Sequence, residues 1–592
     1  MKNRKDLVPG IKFINNSEIS VVLWAPNASN VELVLESGKS FDLQKQARGY
    51  HTLITDELKP GDLYKFRLDG KKELPDPDSR SQPQGVHGYS EIVKLELPTQ
   101  AQPGIPLADY IIYELHTGTF TPCGDFNGVV TKLKYLKELG VNAIEIMPVA
   151  QFPGERNWGY DGVFPYAAQS SYGGPQGLAD LVDACHKEGL AVILDVVYNH
   201  VGPEGNYFNE FGPYFTDKYH TPWGNAINFD DAGSDEVRKY IIENVLMWFS
   251  DFKIDALRLD AVHAIKDFGP KHILHEIRER VDGLMAETGN KHYLIIEFDL
   301  NDNRFINPLI QNGFGMDAQW IDEFHHALRV TAGGDKTGYY AEFEGIKHLA
   351  KAYQDAYVYD GVYSEGRQKT FGTKADNPGE QFVVFTQNHD HVGNRMLGER
   401  TSNLFSVNMQ KLMAAAIMVS PYLPMVFMGE EYGEQNPFLY FVSHTDKELI
   451  KAVRDGRRNE FKAFHAEGEA PDPQSPETFE RSKLNWDSLE EADHQQMLGY
   501  YKQLIALRKS TPALKNNNRK QLEVSCDEEK QILQLRRWQD VQHVYCFMNF
   551  SKTEQTFEPP AGGKIIFSSS SAGQQPKIIK PESIIIYAKD HV

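Results

Sequence analysis

The period of the apolar positions changes twice along the chain, and each change marks a change of architecture. Residues 19–23, 31–35 and 63–68 are short strand-like runs, separated by the turn pairs Pro26-Asn27, Ser37-Gly38 and Pro60-Gly61. Together they predict a small β-sandwich. A turn-rich stretch at 74–88 leads out of it, and the proline-rich segment 98–106 marks a boundary. From residue 110 to about 510, strands alternate with amphipathic helices, the pattern of repeated βα units around a parallel sheet. Buried-strand runs fall at 110–115, 141–147, 190–195, 254–259, 293–297, 316–321, 382–386 and 424–427. Eight is the number a closed barrel requires.

Helices are predicted between most of these strands, over 129–140, 235–252, 271–287, 407–419 and 497–509. The first has Val130, Leu133, Leu136 and Leu139 at helical spacing before the stop at Gly140. Residues 430–493 are too long for a βα loop and carry charged and proline-rich pieces, which predicts an excursion over the barrel mouth. After Pro512 strand runs return at 532–536, 543–548 and 583–587. The expected fold class is α/β: a (β/α)8 TIM barrel at 98–511, between an N-terminal immunoglobulin-like β-sandwich at 1–97 and a C-terminal β-domain at 512–592.

Composition narrows the function. A chain of 592 residues exceeds a single core, in keeping with one large domain and two small ones. A formal charge of -20 disfavours nucleic acid and anionic membranes, which need fields of clustered Lys and Arg. No apolar run has the length of a membrane span. The start, MKNRKDLVPGIKF, is basic without an apolar segment behind it, so no secretory signal is expected and a cytoplasmic address is. Cys123, Cys185, Cys526 and Cys546 lack metal-ligand spacing and are expected to be buried free thiols. No metal or other cofactor is expected.

In such a barrel, chemistry gathers at the C-terminal ends of the strands. Polar groups end successive apolar strands there: Asp195 and His200 in Asp195-Val-Val-Tyr-Asn-His200, Arg258 and Asp260 in Arg258-Leu-Asp260, Glu297, and His389 with Asp390. Any one of these acids can cap a helix or pair with arginine. Asp260, Glu297 and Asp390 at one mouth, however, would repel and drive their pKa values apart, an arrangement suited to cleaving a glycosidic bond with one nucleophilic and one proton-donating carboxyl. Arg258 and Asp260 stand two apart on a strand and face the same side, so the cation can keep Asp260 ionised. Glu297 ends an apolar strand, where desolvation would keep it protonated.

These blocks, in this order over strands three to seven, resemble the α-amylase superfamily of glycosidases. The resemblance implies Asp260 as nucleophile, Glu297 as acid/base and Asp390 as a stabiliser gripping the distorted sugar. It implies that Arg258, His200 and His389 hold hydroxyls and the nucleophile, with Asp195 supporting from below. Trp158-Gly-Tyr-Asp-Gly162 is similar to the block whose tyrosine stacks beneath the reacting glucose, which points to Tyr160.

Leu74-Pro-Asp-Pro-Asp-Ser-Arg80 with Gly85-Val-His-Gly88, the run from Tyr219 to Asp230, the run from Asp317 to Ala327, and Met428-Gly-Glu-Glu-Tyr-Gly433 resemble the maltooligosyltrehalose trehalohydrolase family, nearly end to end. That implies hydrolysis of the α-1,4 bond next to a terminal trehalose, with release of trehalose. It also implies a metabolic partner, the synthase that makes the trehalose-capped oligomer. Ala256 stands where the superfamily usually has glycine, and Phe298 follows the acid where a small or polar residue is expected.

Trp223 and Phe371 are candidate walls for the sugar chain, and His263, one turn past Asp260, is a candidate for the leaving side. Asp322, His325 and His326, just past strand six, are candidate substrate contacts. A branching or debranching enzyme on the same barrel is the alternative activity. A non-catalytic glucan-binding protein is the alternative from another class.

Overall fold

The structure is a computed structural model that describes residues 7–15, 17–463, 470–570 and 577–590. The first six residues, part of the segment read for a secretory signal, lie outside it.

Eight parallel strands close a barrel. They are β1 (Ile112–Leu115), β2 (Ala143–Ile146), β3 (Ala191–Val196), β4 (Ala256–Leu259), β5 (Tyr293–Ile296), β6 (Ala318–Trp320), β7 (Phe382–Phe385) and β8 (Leu423–Phe427). Alternate side chains point inward. The floor is apolar, with Ile112, Ala143, Ile193, Ile295, Phe385 and Met425 fully buried. Ala256, at the position where glycine was the superfamily expectation, is part of this floor and is also fully buried. Two residues further along, the inward positions turn polar: Glu114 pairs with Glu145 in register across β1 and β2, and Asp195 with Arg258 across β3 and β4.

The main outer helices are Gly174–Glu188, Ser234–Ser250, Ile273–Thr288, Asp322–Thr331, Val407–Met418 and Ala492–Ser510. The single helix expected over 129–140 is broken in two, Phe126–Val130 and Leu133–Leu139, because Lys132 between them has φ -105° and ψ -1°. Gly140 ends the second piece at φ 106°, a left-handed conformation that favours glycine. No α-helix joins β5 to β6; the described residues there hold one short 3-10 turn, Leu309–Gln311.

N-terminal to the barrel, two antiparallel sheets pack around Val21, Leu23, Leu33 and Phe66. Beyond it, a five-stranded antiparallel sheet runs from Leu522–Asp527 to Ser583–Asp590. Residues of the 430–493 excursion cover the loops after β1, β2 and β3. Phe438 stacks on Trp158 with ring centroids 5.2 Å apart, Trp486 meets Phe120 edge-on at 5.3 Å, and His444 Nδ1 lies 3.2 Å from Glu204.

The cysteine expectation needs correction. All four are free, but only Cys185 and Cys546 are buried; Cys123 is exposed and Cys526 half-buried, both on segments near the surface. Among the described residues no helix is long and apolar enough to cross a membrane.

Candidate active site

Asp260 and Glu297 follow directly after β4 and β5, and the barrel's own hydrogen bonding fixes both backbones. Asp260 N–H donates to Val196 O at 3.0 Å, and Glu297 N–H donates to Leu259 O at 3.0 Å. After Asp260 the chain turns through Ala261 at φ 38° and ψ 50°, a left-handed conformation rarely adopted by alanine. The turn aims the Ala261 N–H at Glu297 Oε2, 2.8 Å away.

Arg258 lies beneath both acids with its side chain wholly buried. Nη1 donates to Asp195 Oδ2 at 2.7 Å and to Asp260 Oδ1 at 3.0 Å, while Nη2 donates to Glu297 Oε2 at 3.0 Å. The indole of Trp320 covers the guanidinium at 4.3 Å. One cation thus serves three carboxyls, and they divide unequally. Burial works against ionised Asp260, but Arg258, His200 and the Asn199 amide outweigh it and hold that carboxyl below its ordinary range. Burial, joined by the charges of Asp260, Asp390 and Asp322, outweighs Arg258 at Glu297 and pushes it well above its ordinary range. Asp195, buried and facing Asp260, is pushed up to about 7. Asp260 and Glu297 thus meet on one guanidinium, the first favoured as the carboxylate and the second as the acid.

Asp390 opens the short helix His389–Gly393 after β7 and is the most open of the three acids, its side chain 42% exposed. Gly393 lets this helix lie against Trp158: a Cβ there would come within 2.1 Å of the indole. Tyr160 stacks on His389 with centroids 5.2 Å apart, and its hydroxyl reaches both Asp195 at 2.7 Å and His389 Nε2 at 2.8 Å. Asn199 Nδ2 donates to Asp260 Oδ2 at 2.7 Å. Among the described residues no group of three or more His, Cys, Asp or Glu side chains is arranged to hold a metal ion.

Of the outlying residues singled out above, several converge on this mouth. Trp223 sits at the tip of an antiparallel hairpin, Phe215–Thr221 with Gly224–Ile227, and stacks on His200 at 3.9 Å with an interplanar angle of 7°. It is 46% exposed, so the other ring face is free. His263 is half-buried and meets Phe298 edge-on at 6.5 Å. Phe298 itself packs on Phe305 at 4.0 Å and also lines the cavity beside Glu297. Asp322 and His326, with Trp320, Tyr339, Glu342 and Arg367, line a cavity of about 510 Å³ beside Glu297.

Two expectations are not met. His325 is fully buried, with Nδ1 on Thr386 O at 2.6 Å, Nε2 on Tyr340 Oη at 2.9 Å and its ring stacked on His391. In the helix Asp322–Thr331, residues four apart share a face, so Asp322 and His326 look into the cavity while His325 turns inward. Phe371 is buried in the two-stranded ribbon Val362–Ser364 with Lys369–Phe371, under the Arg367 guanidinium at 4.0 Å, and does not line the cavity beside Glu297.

Sequence reasoning missed Glu114 and Trp320, which contact His389 and Arg258, and the buried acid beside Glu114, Glu145, whose carboxyl forms no hydrogen bond with the site. Their signal was a large polar or aromatic residue at an inward position of a short apolar strand, on the same alternation as Arg258. A larger cleft of about 810 Å³, between the sandwich and the helices Ser234–Ser250 and Ile273–Thr288, contains none of the candidate site residues.

Comparison with known proteins agrees with this geometry. The alpha-amylase catalytic domain matches residues 75–223 and 228–517, and the carbohydrate-binding module 48 of isoamylase N-terminal domains matches residues 10–83. The chain therefore belongs to the alpha-amylase family of glycoside hydrolases. Within it, relatives at 40–46% identity are malto-oligosyltrehalose trehalohydrolases. That of Saccharolobus solfataricus is 46% identical over 94% of this chain and 95% of its own length, and that of Mycobacterium tuberculosis 41% over 87% and 90%. A solved structure from Salmonella typhimurium superposes with a TM-score of 0.91 at 37% identity, covering 98% of this chain and 99% of that one.

Proposed function

We propose that this chain hydrolyses the α-1,4 bond next to the terminal trehalose of maltooligosyltrehalose, releasing trehalose with retention at the cleaved carbon. The observation that carries the chemistry is the pair of carboxyls each held 3.0 Å from one buried guanidinium, with Asp260 pulled below the ordinary carboxylate range and Glu297 pushed well above it. Asp260 attacks the anomeric carbon while Glu297 gives its proton to the departing oxygen. The resulting glycosyl ester is opened by a water that Glu297, now a base, deprotonates. Two carboxyls held on one guanidinium, one favoured as the carboxylate and the other as the acid, suit the double-displacement route, in which the pair stands ~5–5.5 Å apart. Asp390 steadies the sugar at the reacting carbon, and Tyr160 is the ring beneath it. Arg258, His200 and His389 hold the site, with Asp195 below.

The choice of trehalose follows the relatives' names, and the cavity lined by Asp322 and His326, with the Trp223 hairpin, is where such a choice can be exerted. The α,α-1,1 bond turns the last glucose in a direction maltose cannot follow. Polar groups matched to it would stay unpaired with a plain glucan, which slows that reaction. A synthase that caps the glucan with trehalose, working in the cytoplasm, belongs to the same reading.

The test is product analysis after incubation with maltooligosyltrehalose and, separately, with maltooligosaccharide. Trehalose should dominate the small products of the first, and the second should be cleaved slowly. Equal rates, or transfer to an α-1,6 branch, would overturn the substrate assignment in favour of a branching or debranching activity.

A further inference from the structure

Below Asp260 and Glu297, two acids point into the barrel from strands that carry none of the residues discussed under function. Glu114 on β1 and Glu145 on β2 are register partners, each 1% exposed. Two buried carboxylates side by side repel, so such a pair favours a single charge. Their surroundings decide which one holds it. Neither oxygen of Glu145 has a hydrogen-bond partner, and burial together with the Glu114 charge pushes its carboxyl well above the ordinary range. Glu114, by contrast, takes hold of His389 twice. Its Oε1 lies 2.5 Å from Nδ1, and its Oε2 accepts the His389 backbone N–H at 3.2 Å.

The other ring nitrogen of His389 shows what Glu114 does. Nε2 lies 2.8 Å from the Tyr160 hydroxyl, which donates to Asp195 Oδ2 at 2.7 Å. A phenol has one proton to give. With that proton on the Asp195 side, the hydrogen between Tyr160 and His389 comes from Nε2, and Nδ1 gives the other to Glu114. In that arrangement the ring is a donor at both nitrogens.

We propose that Glu114 is a positioning residue of the active site: its carboxylate keeps the His389 ring a double donor, and His389 in turn fixes the Tyr160 ring between itself and Asp195. The step from Tyr160 to the sugar rests on the reading given above; the link from Glu114 to His389 does not. Charged and titratable groups act on the His389 ring from several elements: Asp390 and His391 on its own turn, Glu114 and His116 from the first strand and its loop, Glu145 from β2, Tyr160 from the loop after β2 with Asp195 behind it, Arg258 from β4 and Asp322 after β6. Burial and Arg258 oppose the cation, while Asp390 and Glu114 outweigh them and raise His389 to about 9.

The experiment is NMR titration of the full-length protein carrying 13Cε1-labelled histidine, with the His389 signal assigned by its loss in His389→Asn. In the wild type that signal should titrate near pH 9. Glu114→Gln should lower the midpoint by about 1–3 pH units, the usual effect of a close opposite charge. It should also cut kcat by about tenfold or more with KM little changed, the factor expected for one lost charge-assisted hydrogen bond. Glu145→Gln should leave midpoint and kcat at wild-type values. An unmoved midpoint in Glu114→Gln, or an equal shift in Glu145→Gln, overturns the proposal. If Glu114→Gln does not fold, the wild-type titration decides: a His389 signal that is neutral at pH 7 overturns the proposal, and a charged one supports it. The titration needs no substrate, so its failure is distinct from failure of the assigned activity.

Discussion

Replacing Arg258 tests how one cation sets two different protonation states. Its fork holds Asp195 at 2.7 Å and Asp260 and Glu297 at 3.0 Å each, with no exposure of the side chain. A lysine ammonium is a point charge that cannot reproduce the fork, so Arg258→Lys loses at least one charge-assisted hydrogen bond. At about 1.5–3 kcal/mol for such a bond, kcat/KM should fall by roughly 10–150-fold where the loss is felt in the transition state. Arg258→Met removes the charge altogether. Breaking a buried ion cluster this way costs about 3–5 kcal/mol of stability, which urea unfolding would register. The sign of the pH effect follows from the causes at each acid. Arg258 is the chief group lowering Asp260 against burial, so without it the Asp260 pKa rises. Arg258 also lowers Glu297, whose pKa should rise as well. Since activity needs Asp260 ionised and Glu297 protonated, both limbs of the pH profile of kcat/KM should move to higher pH in Arg258→Met. An acid limb that stays in place, or moves down, would refute the assignment of Arg258 as the group that keeps Asp260 charged.

Asp260→Asn and Glu297→Gln are nearly isosteric and should each leave far-UV circular dichroism unchanged while removing most turnover; near-normal activity in either would mean that its role is misassigned. The first-formed product should keep the α-anomeric configuration by proton NMR, and a β product would rule out retention. Trp223→Ala removes a half-exposed ring stacked on His200 and should lower kcat/KM on the trehalose-capped substrate by about 2–12-fold, from a stacking contribution of about 0.5–1.5 kcal/mol. An equal loss on plain maltooligosaccharide would show that the ring does not discriminate. His389 has its pKa raised when folded, to about 9, so its contribution to stability is complete below about pH 6.5 and is lost as pH rises through 9. Between these values the unfolding midpoint should fall more steeply in the wild type than in His389→Asn, and parallel curves would contradict this.

The barrel was legible because each of its strands is a compact apolar run, and because the acids of the site end those runs where the chain leaves the sheet. Arg258 and Asp260 could be placed on one face from their spacing alone, and they share one hydrogen bond in the structure. The break at Lys132 was not legible, since no proline or glycine marks it and the apolar spacing continues across it. Glu114 and Glu145 were missed for a different reason. Each is one acid within a four-residue strand, and which face it occupies depends on closure of the barrel. His325 and His326 were taken together because adjacent histidines look alike in sequence. Only the start of the helix at Asp322 sets which of them meets the cavity. Phe371 stands just before β7, which suggests a wall, but it ends the return strand of a short ribbon turned at 365–368 and is buried there.

The hairpin that carries Trp223 stands apart from the strands that carry the acids. The alpha-amylase domain match stops at residue 223 and resumes at 228, so the omitted residues coincide with the hairpin's return strand, Gly224–Ile227. Its tip, Pro222 to Asn225, is exposed, and Trp223 joins the mouth by a ring face against His200. Insertions and substitutions at such a tip leave the register of β3, β4 and β5 untouched. A change at this tip therefore alters the rim that meets the sugar chain while Arg258, Asp260 and Glu297 keep their places on the barrel.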